Sequence, residues 1–102
     1  MDERKEWGAF GRSTDHDGCF AESLQRHDTC RTSFPCHLKS NLFLFGCLTE
    51  SMPTPGFCDD VPAKTEFMKT VTWRVSRCSE IGLEGSYCHE LFGTLQKFCG
   101  RP

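Results

Sequence analysis

The stretch Ser86–Cys99, SYCHELFGTLQKFC, decides the fold. Counted from Cys88, its apolar residues fall at offsets of 3, 4, 7, 10 and 11, which is the spacing of one face of an amphipathic helix. Ser86 is a suitable N-cap residue, and Gly100 is a suitable stop. Cys88 and Cys99 therefore lie on the same buried face, roughly 16 Å apart. A cysteine at each end of a buried face indicates a helix that is joined to a neighbour by disulfide bonds.

The composition indicates a small disulfide-rich protein. The 102 residues suffice for one small domain or two very small ones, and only 37% of them are hydrophobic. A core built from burial alone would therefore be marginal. The 8 cysteines are far above ordinary usage, and each disulfide contributes about 2–4 kcal/mol in a small domain. We expect the disulfides to supply the stability that the core lacks.

Charge and hydropathy exclude several classes of function. The net charge is −2 and the basic residues are scattered, so nothing resembles a nucleic-acid footprint. The longest apolar run, residues 42–45, is far shorter than a membrane span. The first ten residues, MDERKEWGAF, lack the apolar core of a secretory signal and are too acidic for a mitochondrial presequence.

Many cysteines without an export signal leave three interpretations. A signal is missing from this chain, or the cysteines are reduced and bind metal in the cytosol, or the protein enters an oxidising compartment without a cleavable signal.

Two further segments each have a cysteine at both ends with ten residues between them: 19–30, CFAESLQRHDTC, and 36–47, CHLKSNLFLFGC. Pro35 indicates a short turn that separates them. Helices joined by so short a turn run antiparallel, so the segments predict a helical hairpin. The expected apolar positions of the first helix are Phe20, Ala21, Leu24 and its two cysteines. Those of the second are Leu38, Leu42, Phe43, Phe45 and Leu48, a wide face that implies heavy burial.

The remaining segment, 63–78, fits a helix whose inward residues are Phe67, Met68, Val71, Val75 and Cys78. Residues 67–76 also fit a strand, because Val71, Trp73 and Val75 alternate and are β-prone. The helix is favoured, since the neighbouring elements are helical and no second strand is evident.

These elements predict an all-α fold of two disulfide-stapled antiparallel helical hairpins in series. Its parts are an extended N-terminal arm (1–18), a first hairpin (19–48), a Pro-rich linker (49–62) and a second hairpin (63–102). Eight cysteines allow many pairings. Helix geometry favours Cys19–Cys47, Cys30–Cys36, Cys58–Cys99 and Cys78–Cys88.

Paired cysteines about ten residues apart on two antiparallel helices resemble the coiled-coil-helix–coiled-coil-helix (CHCH, twin CX9C) proteins. The resemblance covers residues 19–99, with two hairpins in series. The sequence departs from the family pattern because the intervals Cys19/Cys30, Cys36/Cys47 and Cys88/Cys99 are ten residues rather than nine. The third helix also carries only Cys78, while Cys58 comes from the linker. Members of this family occupy the mitochondrial intermembrane space, where oxidation traps them, and many lack a cleavable presequence. Double-CHCH members include an accessory subunit of mitochondrial complex I.

The resemblance implies a structural accessory subunit or assembly factor of a respiratory complex, with no catalysis and no cofactor of its own. It would be peripheral on the inner membrane, and its partners would be other protein subunits of the complex. The alternative is a secreted disulfide-rich ligand, effector or inhibitor whose signal peptide is absent from this chain.

Other chemistry has weaker support. His27, Cys30, Cys36 and His37 form the tightest metal-like cluster, but structural zinc usually shows cysteines two to four residues apart, so we predict no metal. The triplet Asp15–Asp17 has no nucleophile beside it, and no CxxC pair occurs, so we predict no active site.

Partner contacts are expected at apolar groups in segments that lack a hairpin partner. Trp7 and Phe10 are the large apolar groups of the N-terminal arm, and they either fold back on the core or dock on a partner. Trp73 and the Pro-rich linker are the other candidates for partner binding.

Overall fold

The computed structural model describes residues 3–83 and 85–100, which form five α-helices and no β-strand. The predicted all-α class is therefore confirmed. Residues 1–2 of the predicted arm and 101–102 of the predicted second hairpin lie outside the described residues. The helices are α1 (Glu3–Arg12), α2 (His16–Cys30), α3 (Phe34–Glu50), α4 (Phe67–Glu80) and α5 (Ser86–Cys99). The chain divides into two compact units, Met1–Phe57 and Cys58–Pro102.

The first unit contains a helix where the sequence predicts an extended arm. That prediction is wrong, because α1 forms and packs along α3. Gly11 is the residue that permits the contact. A Cβ built on Gly11 would lie 2.6 Å from the carbonyl oxygen of Cys47, so only a glycine allows the two helices to approach this closely.

A short turn connects α1 to α2. Asp15 is the N-cap of α2, and its carboxylate accepts a hydrogen bond from the backbone N–H of Gly18 at 2.9 Å. The chain beyond α3 returns to this turn, where Met52 accepts from the His16 N–H and donates to the Thr14 carbonyl. These bonds hold the end of α3 against the start of α2.

Helices α2 and α3 form an antiparallel hairpin with a disulfide bond at each end. Cys30–Cys36 closes the turn and Cys19–Cys47 closes the open end, with Cα–Cα distances of 5.4 and 5.8 Å. Ser33 caps α3, because its hydroxyl accepts from the N–H of Cys36 at 3.4 Å. Both pairs are those that helix geometry favours.

The two cysteines of α2 are buried as predicted, but the buried face between them is polar and does not contain Phe20, Ala21 or Leu24. Its buried residues are Cys19, Ser23, His27 and Cys30, whereas Ala21 is exposed. The reason is geometric: residues 23 and 27 lie between the two cysteines on the same stripe, so turning both cysteines toward α3 also buries them.

The core of the first unit is centred on Phe43 of α3, which is fully buried. The Phe10 ring of α1 lies 5.7 Å from the Phe43 ring, and the guanidinium carbon of Arg26 lies 3.9 Å from the Phe43 centroid. Leu44 and Leu48 complete this core. One aromatic side chain of α3 thus receives contacts from both of the other helices of the unit.

Residues 51–66 separate α3 from α4, so the connection is shifted by a few residues from the predicted 49–62. Within the second unit, α4 confirms the helical interpretation of residues 67–76. Cys78–Cys88 closes the turn between α4 and α5, and Cys58–Cys99 joins the chain before α4 to the end of α5. These pairs are again the favoured ones.

Helix α5 buries the face that its spacing predicts. Cys88, Leu91, Phe92 and Leu95 are all buried, and Gln96 is buried beside them.

Helix α4 is rotated about its axis from the predicted orientation. The prediction that Phe67, Met68, Val71 and Val75 point inward is wrong, because all four are exposed. Cys78 is buried as predicted, and the other buried residues of α4 are Thr70 and Trp73.

Two interactions with α5 fix this orientation. The Trp73 ring meets Phe92 edge to face at 5.5 Å. The Gln96 amide donates to Thr70 Oγ1 at 2.9 Å and to the Pro62 carbonyl at 3.0 Å. Leaving the buried Gln96 amide without these partners would cost about 1–3 kcal/mol. This cost keeps the polar side of α4 buried against α5.

Candidate functional site

Trp7 and Phe10 take the first of their two predicted alternatives and fold back on the core. Trp7 is partly buried, and a Cβ built on Gly46 of α3 would lie 3.6 Å from its ring. Phe10 contacts Phe43, although 37% of its surface remains accessible. Their packing inside the first unit explains these residues without a partner, so their role in binding stays a prediction.

Trp73 lies in the core of the second unit and not on its surface. Only 9% of the residue is accessible, and its ring packs on Phe92. The expectation that Trp73 binds a partner rests on its segment lacking a neighbouring element. That reason does not hold, since α5 is the neighbour. The apolar residues that surround it on α4 are the exposed ones.

The outer side of α4 carries an exposed apolar stripe, which we name the α4 stripe. It consists of Phe67, Met68, Val71 and Val75, and the first two are 72% and 73% accessible. These residues follow the i, i+4, i+8 spacing of one helix face, with Met68 adjoining it. Contiguous exposed apolar groups on a small protein mark sites that other molecules cover.

A second exposed apolar stripe lies on α3 of the first unit. Phe34, Leu38 and Leu42 share one face of the helix and are 60%, 49% and 51% accessible. The sequence predicts heavy burial for Leu38 and Leu42, and that prediction is wrong. The disulfide-bonded cysteines turn the opposite side of α3 toward α2, so these leucines point outward.

A groove of about 420 Å³ runs between α4 and α5 beside the α4 stripe. Phe67 and Val71 form its apolar wall. Its charged lining comes from Lys64, Arg74 and Lys97, with His89 at the same surface, and none of the described residues that line it is a carboxylate. The groove therefore combines apolar surface with a concentration of positive charge in a chain whose net charge is −2.

Arg74 is held in position at the base of this groove. Its Nη2 donates to Gln96 Oε1 at 3.1 Å, and its guanidinium lies against Gly93, where a Cβ would be 3.1 Å from Nη2. In the described part of the chain, no acceptor meets its buried Nε–H. A guanidinium that is fixed in position is suited to pairing with a carboxylate.

The polar triplet Asp15–Asp17 has a structural explanation. Asp15 caps α2, and the His16 ring lies 4.9 Å from the ring of Phe57. The backbone N–H of Asp17 donates to Thr54 Oγ1 at 3.3 Å. Burial lowers the pKa of His16 below its ordinary value, and the charges of the two neighbouring aspartates oppose that shift. All three residues thus fasten the end of α3 to α2.

The metal-like cluster of the sequence is brought together at the closed end of the first hairpin. The rings of His27 and His37 meet edge to face at 4.6 Å, and Cys30 is bonded to Cys36 beside them. Both histidines are buried. Burial, together with the neighbouring His37 ring, lowers the pKa of His27.

In this oxidised form, no group of three or more His, Cys, Asp or Glu side chains within residues 3–83 and 85–100 is arranged to hold a metal ion. None of the described helices combines the length and the apolar character that crossing a membrane requires.

Sequence reasoning missed the groove. The pattern assigns Phe67 and Val71 to the core, and Lys64, Arg74 and Lys97 are separated by enough chain that no local motif links them. The one sequence signal that could have indicated a polar inner face of α4 is that Thr70, Arg74 and Arg77, spaced i, i+4 and i+7, share one side of the helix.

Comparison of the chain with protein-family models, with curated proteins and with solved structures finds no match.

Proposed function

We propose that the chain is a non-catalytic binding subunit, whose groove between α4 and α5 receives an acidic amphipathic helix of a partner protein. The observation that carries this proposal is the combination of the exposed α4 stripe with a groove lined by cations. The partner helix would place its apolar face on Phe67 and Val71 and its carboxylates beside Lys64 and Arg74. This is the helix-in-groove mode of recognition.

The positive charge of the groove favours an acidic partner helix over a purely apolar one. A purely apolar partner would leave the cations of the groove desolvated without compensation, which is costly. Acidic side chains would pair with them and also steer the encounter. The bound face would be the half of α4 that its own unit leaves uncovered.

We further propose that this partner belongs to a mitochondrial inner-membrane respiratory complex, such as complex I. The chain would bind there as an accessory subunit or assembly factor on the intermembrane-space side. The support for this is the likeness of the two hairpins, each fastened by two disulfides, to CHCH proteins. No cofactor of its own is needed for such a role.

The test compares two surface variants in mitochondria of the source organism. The double variant Lys64→Glu, Val71→Glu reverses a charge and interrupts the stripe of the groove. Leu38→Glu is the matched control, since it places the same charge on an exposed apolar position of α3. Both changes are on accessible side chains, so circular dichroism should show unchanged folding.

On a native gel of gently solubilised mitochondria, the wild type and Leu38→Glu should co-migrate with a respiratory complex. The fraction of protein that co-migrates should be at least about tenfold smaller for the double variant than for the wild type, which corresponds to a loss of ~1.4 kcal/mol in binding free energy.

Three outcomes would contradict the proposal. The first is co-migration of the double variant at the wild-type level. The second is a wild type that is absent from mitochondria, which favours the secreted alternative. The third is a purified wild type that dimerises through α4 or binds anionic vesicles in a way that the double variant abolishes, because the occupant would then be a second copy or a lipid surface.

A further inference from the structure

Four side chains with the chemistry of zinc ligands meet at the closed end of the first hairpin. His27 and Cys30 are one turn apart on α2, and Cys36 and His37 are consecutive at the start of α3. The two imidazole rings are 4.6 Å apart, and the two sulfurs are joined. Two thiolates with two imidazoles form one of the common donor sets of structural zinc.

The hydrogen bond of His37 fixes which of its nitrogens can serve as a ligand. Nε2 lies 2.6 Å from the carbonyl oxygen of Arg31, which can only accept, so Nε2 carries the proton. The lone pair is then on Nδ1. Metal-binding histidines generally donate their other N–H to a carbonyl or carboxylate in this way. The turn between α2 and α3 therefore already provides the outer support of such a ligand.

Opening the Cys30–Cys36 disulfide should destabilise the fold less than opening any of the other three. It closes the shortest loop, with a sequence separation of 6 compared with 10, 28 and 41 for the other three, so it contributes least through chain entropy. Both its cysteines line a surface groove of about 380 Å³ that a small reductant can enter. By contrast, Cys19 and Cys47 are completely buried, and the partly exposed Cys58–Cys99 pair closes the longest loop.

We propose that reduction of Cys30–Cys36 converts this end of the hairpin into a Zn²⁺ site with His27, Cys30, Cys36 and His37 as ligands. Two thiol molecules such as glutathione supply two electrons and two protons, which yields two cysteine thiols and one oxidised glutathione. Zn²⁺ then displaces the two thiol protons to solvent and binds two thiolates and two neutral imidazoles. The complex is neutral overall.

The local geometry suits this exchange. Two sulfurs on a tetrahedral zinc ion are about 3.8 Å apart, given Zn–S bonds of ~2.3 Å. The two cysteines start from a Cα–Cα distance of 5.4 Å, so opening the disulfide needs only a small separation of the sulfurs to admit the ion. The Cys19–Cys47 bond at the other end keeps α2 and α3 paired meanwhile. The hairpin would thus stay folded while its redox state changes.

The test uses the full-length chain and Zn²⁺ alone as the probe. A phosphine reductant is titrated until mass spectrometry shows two alkylated thiols per chain, and peptide mapping identifies them. Zn²⁺ affinity is then measured by competition with a chromophoric chelator, and Co²⁺ replaces Zn²⁺ to report tetrahedral sulfur ligation from its absorption spectrum. We expect Cys30 and Cys36 to be alkylated first, with one Zn²⁺ per reduced chain and none in the oxidised chain.

Variants separate the imidazoles from the sulfurs. His27→Gln and His37→Gln should each weaken Zn²⁺ binding at least about tenfold. His89→Gln is the matched control, because His89 adjoins a cysteine of the other turn disulfide, and it should leave the affinity unchanged. If a Gln variant does not fold, His27→Cys, which restores a ligand, should bind Zn²⁺.

The proposal is overturned if another disulfide opens first, or if the two-electron-reduced chain takes up no Zn²⁺. It is also overturned if the His27 and His37 variants bind as tightly as the wild type, since the sulfurs alone would then explain the binding.

Discussion

At the residue scale, two glycines lie where α1 meets α3, but they face different neighbours. A Cβ on Gly11 would meet the backbone of Cys47 at 2.6 Å, and backbone of a helix cannot move aside without cost. A Cβ on Gly46 would lie 3.6 Å from the Trp7 ring, which is an ordinary van der Waals contact. The same substitution should therefore have opposite effects at the two positions.

We predict that Gly11→Ala lowers the free energy of unfolding by about 1–3 kcal/mol, because α1 must move away from α3. Gly46→Ala should be neutral or should raise it by up to ~1 kcal/mol, since alanine is favoured over glycine within a helix. Urea denaturation followed by circular dichroism measures both. Equal midpoints for the two variants would show that α1 does not pack at Gly11.

At this scale the disulfide pairing can be predicted from the sequence, whereas the packing role of Gly11 cannot. A ten-residue interval on a helix fixes which ends of two neighbours carry facing cysteines, so Cys19–Cys47 and Cys30–Cys36 follow from spacing alone. The role of Gly11 depends on the helix that approaches it, and nothing within ten residues of it in the sequence reveals that helix.

At the element scale, α4 has two faces that compete for the interior. Its apolar face carries Phe67, Val71 and Val75, while its other face carries Trp73 among polar residues. The second face is the buried one, because Trp73 packs on Phe92 and Thr70 receives the Gln96 amide. Burying the Trp73 ring and satisfying the Gln96 amide thus stabilises the fold more than burying Phe67, Val71 and Val75 would.

We predict that Trp73→Ala lowers the free energy of unfolding by about 3–5 kcal/mol, as expected for a buried tryptophan. Val75→Ala should change it by less than ~0.5 kcal/mol, because this side chain is half exposed. Thermal denaturation of the oxidised proteins provides the comparison. The reverse order of stabilities would mean that the apolar stripe, and not Trp73, lies against α5.

Hydrophobic periodicity located α4 and α5 but could orient only α5. In α5 one stripe contains every large apolar group, so the buried face is unambiguous. In α4 the stripe is equally regular, yet it is exposed. Hydrophobic periodicity shows which face of a helix is apolar but not what covers that face. The groove beside the α4 stripe could therefore not be predicted.

The helix α1 escaped detection for a related reason. Gly8 and Gly11 lower its intrinsic helix propensity by about 1 kcal/mol each. The contacts of Trp7 and Phe10 with α3 offset that loss, and these depend on the tertiary structure.

At the scale of the whole molecule, each of the four disulfides joins two cysteines of the same unit. Two bonds lie within Met1–Phe57 and two within Cys58–Pro102, and none joins one unit to the other. Each unit contains one antiparallel hairpin with its own buried residues. Domains of about 45–57 residues bury too little surface to be stable from their cores alone, so each depends on its own pair of disulfides.

We predict that the two halves, residues 1–57 and 58–102, fold separately when each is produced under oxidising conditions. Each should contain two disulfides, no free thiol and a helical circular dichroism spectrum, and each should unfold when fully reduced, because every disulfide contributes about 2–4 kcal/mol. Thiol titration and thermal denaturation measure these properties. As a control, Cys78→Ser, Cys88→Ser in the second half removes the bond at the turn and should lower its melting temperature without affecting the first half. Free thiols or a random-coil spectrum in either isolated half would show that its helices need the rest of the chain, and the disulfide pairs would then describe one cooperative domain.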